Sequence, residues 1–459
     1  MVPFPLATRL PGKALALSLA CLAGPAFADT DLQAEIDALK QRLSKLEQRN
    51  QALEQALDSE RISENEPQEA TRIKAVEEDV ARLQPAAKLS EALDGVSVNA
   101  SITGVAQHLD HAATTGSRSQ LNWRGDIGVN VPTGDLGTAK GNVFVHLRMG
   151  QGNGVAIAGE PPINATVFNL HGTGSNSNAD IILAEAWYRM DIPLGSTGEK
   201  ADRHLEFTAG KIDPYSLFDQ NAGSDDESSQ NLNLFFVHNP LLDAGGGAVF
   251  DEYGFAPGLR FGYYDGMDSP QGWGLSAGVF ATNGGASFDN SFDHSFSIAQ
   301  FETVQHFFGG LEGNYRLYAW NTEQGRSFDD TYGKQSGWGL SADQRLGDGM
   351  TVWGRYGQIV SGAPMYDRAV TLGINFSGNY WSRGKDSLGL SLGHLRASDA
   401  YRSHLASATD SEQVAELYYN WQMVPGIVLT PDVQYIRHPA ADSANDNATV
   451  LGLRATLSM

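Results

Sequence analysis

Cysteine, basic charge and long apolar runs are what this sequence has least of. Its one cysteine, Cys21, falls inside the opening stretch MVPFPLATRLPGKALALSLACLAGPAFADT. That stretch has the layout of a secretion signal, with Arg9 and Lys13, then an apolar run, then Ala26-Phe27-Ala28 as the cleavage pattern. Residues 1–28 are therefore set aside, and the mature chain, without cysteine, cannot be held by disulfides. Ser18-Leu19-Ala20-Cys21 makes a poor lipoprotein box because Ser18 stands where leucine is expected, so no lipid anchor is expected. Lys and Arg number 32 against 54 Asp and Glu, a net charge of −22. Such a chain lacks the basic footprint that nucleic acid requires. After the leader no run of about 18 apolar residues exists, so no helix is expected to span a bilayer. Two classes survive: a soluble exported protein, or a closed β-barrel in an outer membrane, the other fold that satisfies its own backbone in lipid.

Glycine and aromatic residues are absent from 29–94, whereas all 8 Trp and all 15 Tyr lie beyond that stretch. Within it, Ile36, Leu39, Leu43, Leu46, Asn50, Leu53 and Leu57 recur at spacings of three and four, a heptad with Asn50 at an a position. The same register pairs Glu35 with Lys40, Arg42 with Glu47 and Arg49 with Glu54 as g and following e residues, which favours parallel identical helices. The expectation is a periplasmic coiled coil, preferably trimeric; the alternative is a single amphipathic helix lying on its own chain. The pattern lapses near Pro67, resumes at Ile73, Val76, Val80 and Leu83, and stops at Pro85.

From Gly95 the period becomes two. In LNWRGDIGVNV, Leu121, Trp123, Ile127, Val129 and Val131 alternate with Asn122, Arg124, Asp126 and Asn130. VFVHLRM, LEGNYRLYAW, VTLGINF and AELYYNWQM repeat the alternation, separated by turn signals such as Asp348-Gly349 and Pro425-Gly426. A β-sandwich also alternates. Runs of about 9 to 11 residues, charges of both signs on the polar face and recurrent Trp and Tyr favour a membrane barrel. Residues 95–459 suffice for about 16 antiparallel strands at roughly 22 residues each.

The stretch FTAGKIDPYSLFDQNAGSDDESSQNLNLFFVHNP, Phe207 to Pro240, resembles the carbohydrate-selective outer-membrane porins, the OprB-like glucose porins. GNYRLYAWN and AELYYNWQMVPGIVLTPDVQYIRHP, Ala415 to Pro439, agree with the same family. The resemblance implies a passive outer-membrane channel for mono- or oligosaccharides, with no cofactor and no bond chemistry. The chain departs from that pattern in two places. It ends on Met459 where such barrels usually end on an aromatic residue, and it carries the helical leader, which a simple glucose porin can do without.

A sugar offers hydroxyl edges and apolar C–H faces, so a selective lumen needs fixed polar groups and an aromatic surface. Parity points Arg124, Arg148, Glu185, Arg189, Arg260, Glu312, Arg316, Asp343 and Arg345 inward, with Trp187 and Trp320 as aromatic platforms. Each charge has an alternative role as half of an ion pair that lines the wall. Lys211, Asp213, Asp219, Asn221, Asp225 and Glu227 crowd one turn-rich run, which could shape a constriction, brace the wall, or form an exposed acidic loop that holds divalent cations. No enzyme motif is complete, since Ile212 follows Gly210-Lys211 where a phosphate loop needs Ser or Thr. The histidines lack ligand spacing, so no metal site is expected. Rival functions are a general or an anion- or phosphate-selective porin, and a barrel that anchors a tether to the cell wall.

Overall fold

A computed structural model describes residues 37–38, 40–51, 95–114, 116–157, 178–195, 202–242, 250–267, 271–291 and 293–459. The leader 1–28, heptad positions Ile36, Leu39, Leu53 and Leu57, the repeat at 73–83 and the Gly245–Gly247 run lie outside the described residues. The chain divides into two units, Met1–Val96 and Ser97–Met459. In the first, 37–38 and 40–51 are helical, and Leu43, Leu46 and Asn50 are less exposed than the residues between them. This is one stripe at the three-four spacing of the heptad.

The second unit is built from sixteen strands: β1 Ser97–Asp110, β2 Ser119–Leu136, β3 Ala139–Gln151, β4 Asp180–Leu194, β5 Arg203–Ile212 and β6 Ala256–Asp265. Next come β7 Gln271–Ala281, β8 Ser295–Phe307, β9 Leu311–Arg326, β10 Tyr332–Gly347 and β11 Met350–Ser361. The last five are β12 Tyr366–Ser377, β13 Ser387–Ala397, β14 Ser411–Val424, β15 Ile427–Arg437 and β16 Ala448–Ser458. Each pairs with its sequence neighbours and β1 pairs with β16, so the sheet closes. Closure leaves no edge strand with unbonded amides, the condition for a sheet to survive in hydrocarbon.

Strands run from 10 to 18 residues, six of them within the 9 to 11 expected from the apolar runs and ten longer. The apolar run reports only the stretch that meets lipid, whereas ladder hydrogen bonds continue past it into the hairpins. One end of the barrel is joined by short turns such as 137–138, 308–310, 348–349 and 425–426; the other carries 111–118, 152–179 and 213–255. Gly426 at φ +80° supplies the left-handed residue that the tight Pro425-Gly426 turn demands.

Odd-numbered residues of β2 face outward as expected, Leu121 being 75% exposed. Leu259, Phe261, Leu275, Leu372, Leu392 and Leu453 continue the apolar exterior. Aromatic pairs ring the short-turn rim: Phe307 with Tyr315 at 5.9 Å between ring centroids, Phe376 with Tyr380 at 6.0 Å and Trp381 with Tyr419 at 5.9 Å. That placement suits rings that sit at a lipid headgroup boundary.

The inside differs from a uniformly wet face. After β5, residues 213–242 fold into the barrel and run along its wall as a belt. Arg355 of β11 anchors it: Nε lies 3.0 Å from Asp219 Oδ2, and the guanidinium also donates to the Phe236 carbonyl at 2.8 Å. Further along, Glu416 of β14 accepts the Leu232 and Asn233 amides, and Arg454 of β16 donates to the carbonyls of Glu227 and Gln230 at 2.7 and 2.9 Å. The belt has almost no secondary structure of its own, so wall side chains satisfy its backbone. Beneath it lies an apolar core in which Phe218, Phe235 and Phe236 pack with the inward aromatics Phe280, Phe296 and Trp353. Gly393 is where Phe235 meets the wall, and a Cβ there would overlap the ring.

Arg355 and Asp219 side chains are both fully buried. Arg355→Ala would therefore strand a carboxylate in the core at a cost of about 3–5 kcal/mol. We expect the variant to unfold at lower temperature on heat-modified gel electrophoresis and to show noisier single-channel current, whereas Arg326→Ala, in an exposed loop pair, should match the parent.

Candidate functional site: the lumen wall

Cross-strand register decides which charges meet. Asp126 of β2 stands opposite Arg148 of β3, and His146 of β3 opposite Glu185 of β4. Asp126 accepts from Arg124 Nε at 2.8 Å and from Arg148 Nε at 2.8 Å, with His146 Nε2 at 2.9 Å. Arg124 also reaches across to the belt, 2.5 Å from Glu227 Oε1. Glu185 Oε2 accepts the Trp187 indole N–H at 3.1 Å and the Asp213 amide at 3.0 Å, which pins the start of the belt to β4.

A second run continues around the wall. Arg189 Nε of β4 lies 3.4 Å from Glu206 of β5, and Arg260 of β6 is ion-paired to the same Glu206 oxygen. Arg316 of β9 sits between Glu302 of β8 at 3.8 Å and Asp343 of β10 at 3.3 Å. Positive and negative groups thus interleave. A girdle of charge arranged this way has many fixed donors and acceptors and little net field, since each charge is neutralised within a few ångströms.

Sequence parity and geometry agree on Arg124, Arg148, Glu185, Arg189, Arg260, Arg316 and Asp343, all of which join the girdle. Glu312 and Arg345 are separated from it, exposed at the short-turn rim. Trp187 is half-buried on the lumen face, 5.0 Å from the ring of Phe144, with the Arg189 guanidinium 5.1 Å over it. Trp320 is instead packed in the apolar core against Phe296, where a solute has little ring face to meet.

The belt residues divide. Asp219 and Asn221 are buried against the wall, Asn221 donating to Ser341 Oγ and the Ala342 carbonyl at 3.1 Å each. Lys211 pairs with Asp251 at 2.9 Å. Asp213 caps the turn Pro214–Ser216 by accepting the Tyr215 amide. Its carboxyl is pushed up to about 6 by burial, with Glu185 adding to the shift. Burial also opposes ionisation of Glu227, but the pull of Arg124 prevails and lowers it to about 2. Side-chain exposure in the set is greatest for Asp225 at 31% and Arg189 at 28%, with Asp126, Arg148 and Glu227 next. These are the most exposed charges of the girdle and belt.

Sequence reading missed Asp126, His146, Glu206, Glu302, Arg355 and Phe144. Most carried the same signal as the residues it found. Glu206, for example, alternates with Leu205 and Phe207, and Glu302 with Phe301 and Thr303.

Burial pushes the Asp225 carboxyl up to about 7 against the opposing pull of Arg355. Between the ordinary value of 3.8 and about 7 the folded chain holds this proton more tightly than the unfolded chain, so this residue's contribution to stability falls as pH rises through that window and then levels. The same ionisation adds a negative charge to the lumen. Reversal potentials in planar bilayers should therefore shift toward cation preference between roughly pH 6 and 8, and Asp225→Asn should flatten that shift.

The profile of the carbohydrate-selective porins, OprB family, matches residues 110–459. Porin B of Pseudomonas aeruginosa is 25% identical over 31% of this chain and 40% of its own. Porin AaxA of Chlamydia pneumoniae is 26% identical over 32% of this chain and 33% of its own. The matched stretches thus span less than half of either relative. The high-pH structure of Pseudomonas putida OprB superposes with a TM-score of 0.63 at 16% identity, covering 82% of this chain and 97% of that one, and so shares the fold. Because the family profile covers most of the chain and the closed sixteen-stranded barrel agrees with it, the protein belongs to the OprB family of carbohydrate-selective porins, non-enzymatic β-barrels of the outer membrane.

Proposed function

We propose that this chain passes mono- or oligosaccharides by diffusion from outside the cell into the periplasm. The observation that carries the reading is the interleaved girdle of arginines and carboxylates beside the half-buried Trp187 and Phe144 rings. A pyranose is uncharged, so a net field in the lumen does nothing to select it. What it can use is a fixed array of donors and acceptors for its hydroxyl edge and a ring surface for its C–H face. Arg148, Arg189, Asp126, Asp225 and Glu227 supply the array, and Trp187 the surface. Each is already hydrogen-bonded or ion-paired to a neighbour, so the bond it offers a solute is weak and exchangeable, as passage requires.

The helix at 40–51 fits a parallel homotrimer. Barrels sharing one membrane point the same way, and Leu43, Leu46 and Asn50 form the stripe by which three copies would associate. On this reading the helix lies in the periplasm, because β1 starts at the short-turn end of the barrel, the end that faces the periplasm in bacterial barrels.

Ion current through single channels should fall on addition of sugar and remain unchanged on addition of phosphate. Arg189→Ala should weaken the sugar effect by about tenfold or more, since one hydrogen bond to a charged group contributes about 1.5–3 kcal/mol. Current that responds to phosphate but not to sugar would reassign the solute. Separately, Leu43→Glu with Asn50→Glu should convert a detergent-stable oligomer to single barrels on size-exclusion chromatography with light scattering. An unchanged mass would place the contact elsewhere.

A further inference from the structure

One group of side chains on the lumen wall is not accounted for by sugar passage. Asp191 on β4 stands directly opposite Glu206 on β5, and His204 lies two residues from Glu206 on the same face of the same strand. All three sit beside the connection between β4 and β5, at the short-turn mouth. One ligand atom from each lies within 4.8 Å of the other two.

Two carboxylates placed opposite each other on one face repel. The nearby arginines relieve this only in part. Arg260 and Arg189 both engage Glu206 through Oε1, while among the described residues Oε2 has no hydrogen bond or ion pair. Asp191 likewise has none on either oxygen, and the His204 ring nitrogens have none. The imidazole is nevertheless held in place, stacked on Tyr264 at 5.1 Å between centroids with the planes 26° apart. Each of the three groups therefore keeps a donor atom that no described protein group takes, and one ligand atom of each lies in the same space.

We propose that Asp191, His204 and Glu206 bind a divalent transition-metal ion, zinc being the class that best suits them, at the short-turn mouth of the pore. An imidazole with two carboxylates is a zinc-type donor set, whereas magnesium and calcium favour all-oxygen shells. Tetrahedral zinc with bonds of about 2.0–2.2 Å needs donors roughly 3.4 Å apart, so side-chain rotation of an ångström or so closes the site. A fourth position then opens to the lumen and takes water. Arg189 and Arg260 oppose the cation, so the site binds more weakly than a structural zinc centre and releases its ion readily. Its consequence for conduction is direct. A dication fixed at the mouth of a channel whose chain carries a net charge of −22 reduces cation current through it.

The test uses the full mature chain, free of any histidine tag, in detergent and in planar bilayers. Equilibrium dialysis against zinc should retain about one ion per chain. His204→Ala should abolish that retention, and the isosteric Asp191→Asn should weaken it by at least about tenfold, since removing even an outer partner of a metal ligand costs 10 to 100-fold. Zinc should lower single-channel cation current, a chelator should restore it, and magnesium at the same concentration should leave it unchanged. Heat-modifiable mobility on gels identifies correctly folded barrels among the variants, and if His204→Ala fails that check, Asp191→Asn carries the comparison. Absence of retained zinc in the parent chain overturns the proposal. So does retention that is the same in a folded variant as in the parent, because the ion would then sit on other histidines.

Discussion

A sheet immersed in hydrocarbon has no water to bond its edge amides, and the barrel is shaped by that constraint before any other. Closure of β1 on β16 removes the edge, and once it is closed every residue has only two directions to face. The apolar half of each alternating run goes to lipid, so the polar half is forced into a confined interior whether or not its charges suit one another. Arg124, Arg148, Arg189, Arg260 and Arg316 are there because their neighbours Trp123, Leu147, Tyr188, Leu259 and Leu317 belong outside. Interleaving with carboxylates follows, because an inward arginine without a partner would be far costlier than one beside Asp126 or Glu206.

The belt extends the same reasoning to backbone. A thirty-residue belt that enters a barrel brings many amides and carbonyls out of reach of bulk water. They are met by wall side chains distributed around the circumference: Gln300 for the Asp219 amide, Glu416 for Leu232 and Asn233, Arg454 for Glu227 and Gln230. This explains why charged residues sit fully buried in Glu416 and Arg454, where no solute reaches them. They hold the belt, and the belt in turn presents Asp225 and Glu227 to the open lumen. The wall therefore has two populations of charge, one structural and one accessible, with Arg355 and Asp219 in the first and Arg189 and Asp225 in the second.

Much of this was legible in the sequence, for a local reason. Period two is a property of adjacent residues, so the strands and their parity could be read from LNWRGDIGVNV or VFVHLRM without knowing any partner, while the number, about 16, came only from the length of the chain at roughly 22 residues per strand. Even the Ala184 bulge, which shifts the β3–β4 register between His146 and Leu147, left the inward parity of Glu185, Trp187 and Arg189 intact. Pairing is not local. Thr456 donates to the carbonyl of Ser228, 228 residues earlier, and Asp219 meets Arg355 across 136. Nothing near Asp219 distinguishes it from Asp225, yet one is a buried anchor and the other a partly exposed lumen group. Trp320 failed as a platform for a related reason: inward parity places a ring inside the cylinder, but only the position of the belt decides whether it is covered.

Paired charge also bears on how one lumen can be selective without being retentive. An isolated arginine in a narrow pore would hold an anion strongly and stall it. An arginine already bonded to Asp126 or Glu206 has less to gain from a solute, because any new hydrogen bond is made at the expense of part of an existing one. The exchange is nearly balanced, so the solute is recognised at each step and released to the next. A neutral polyhydroxyl solute tolerates this best, since it can offer a donor to the carboxylate and an acceptor to the guanidinium of the same pair. A monovalent anion can satisfy only one member and is repelled by the other. On this argument the selectivity of such a lumen resides in the pairing of its charges, and converting Arg189 or Asp126 to a neutral residue alters it chiefly through the unpaired charge left on its neighbour.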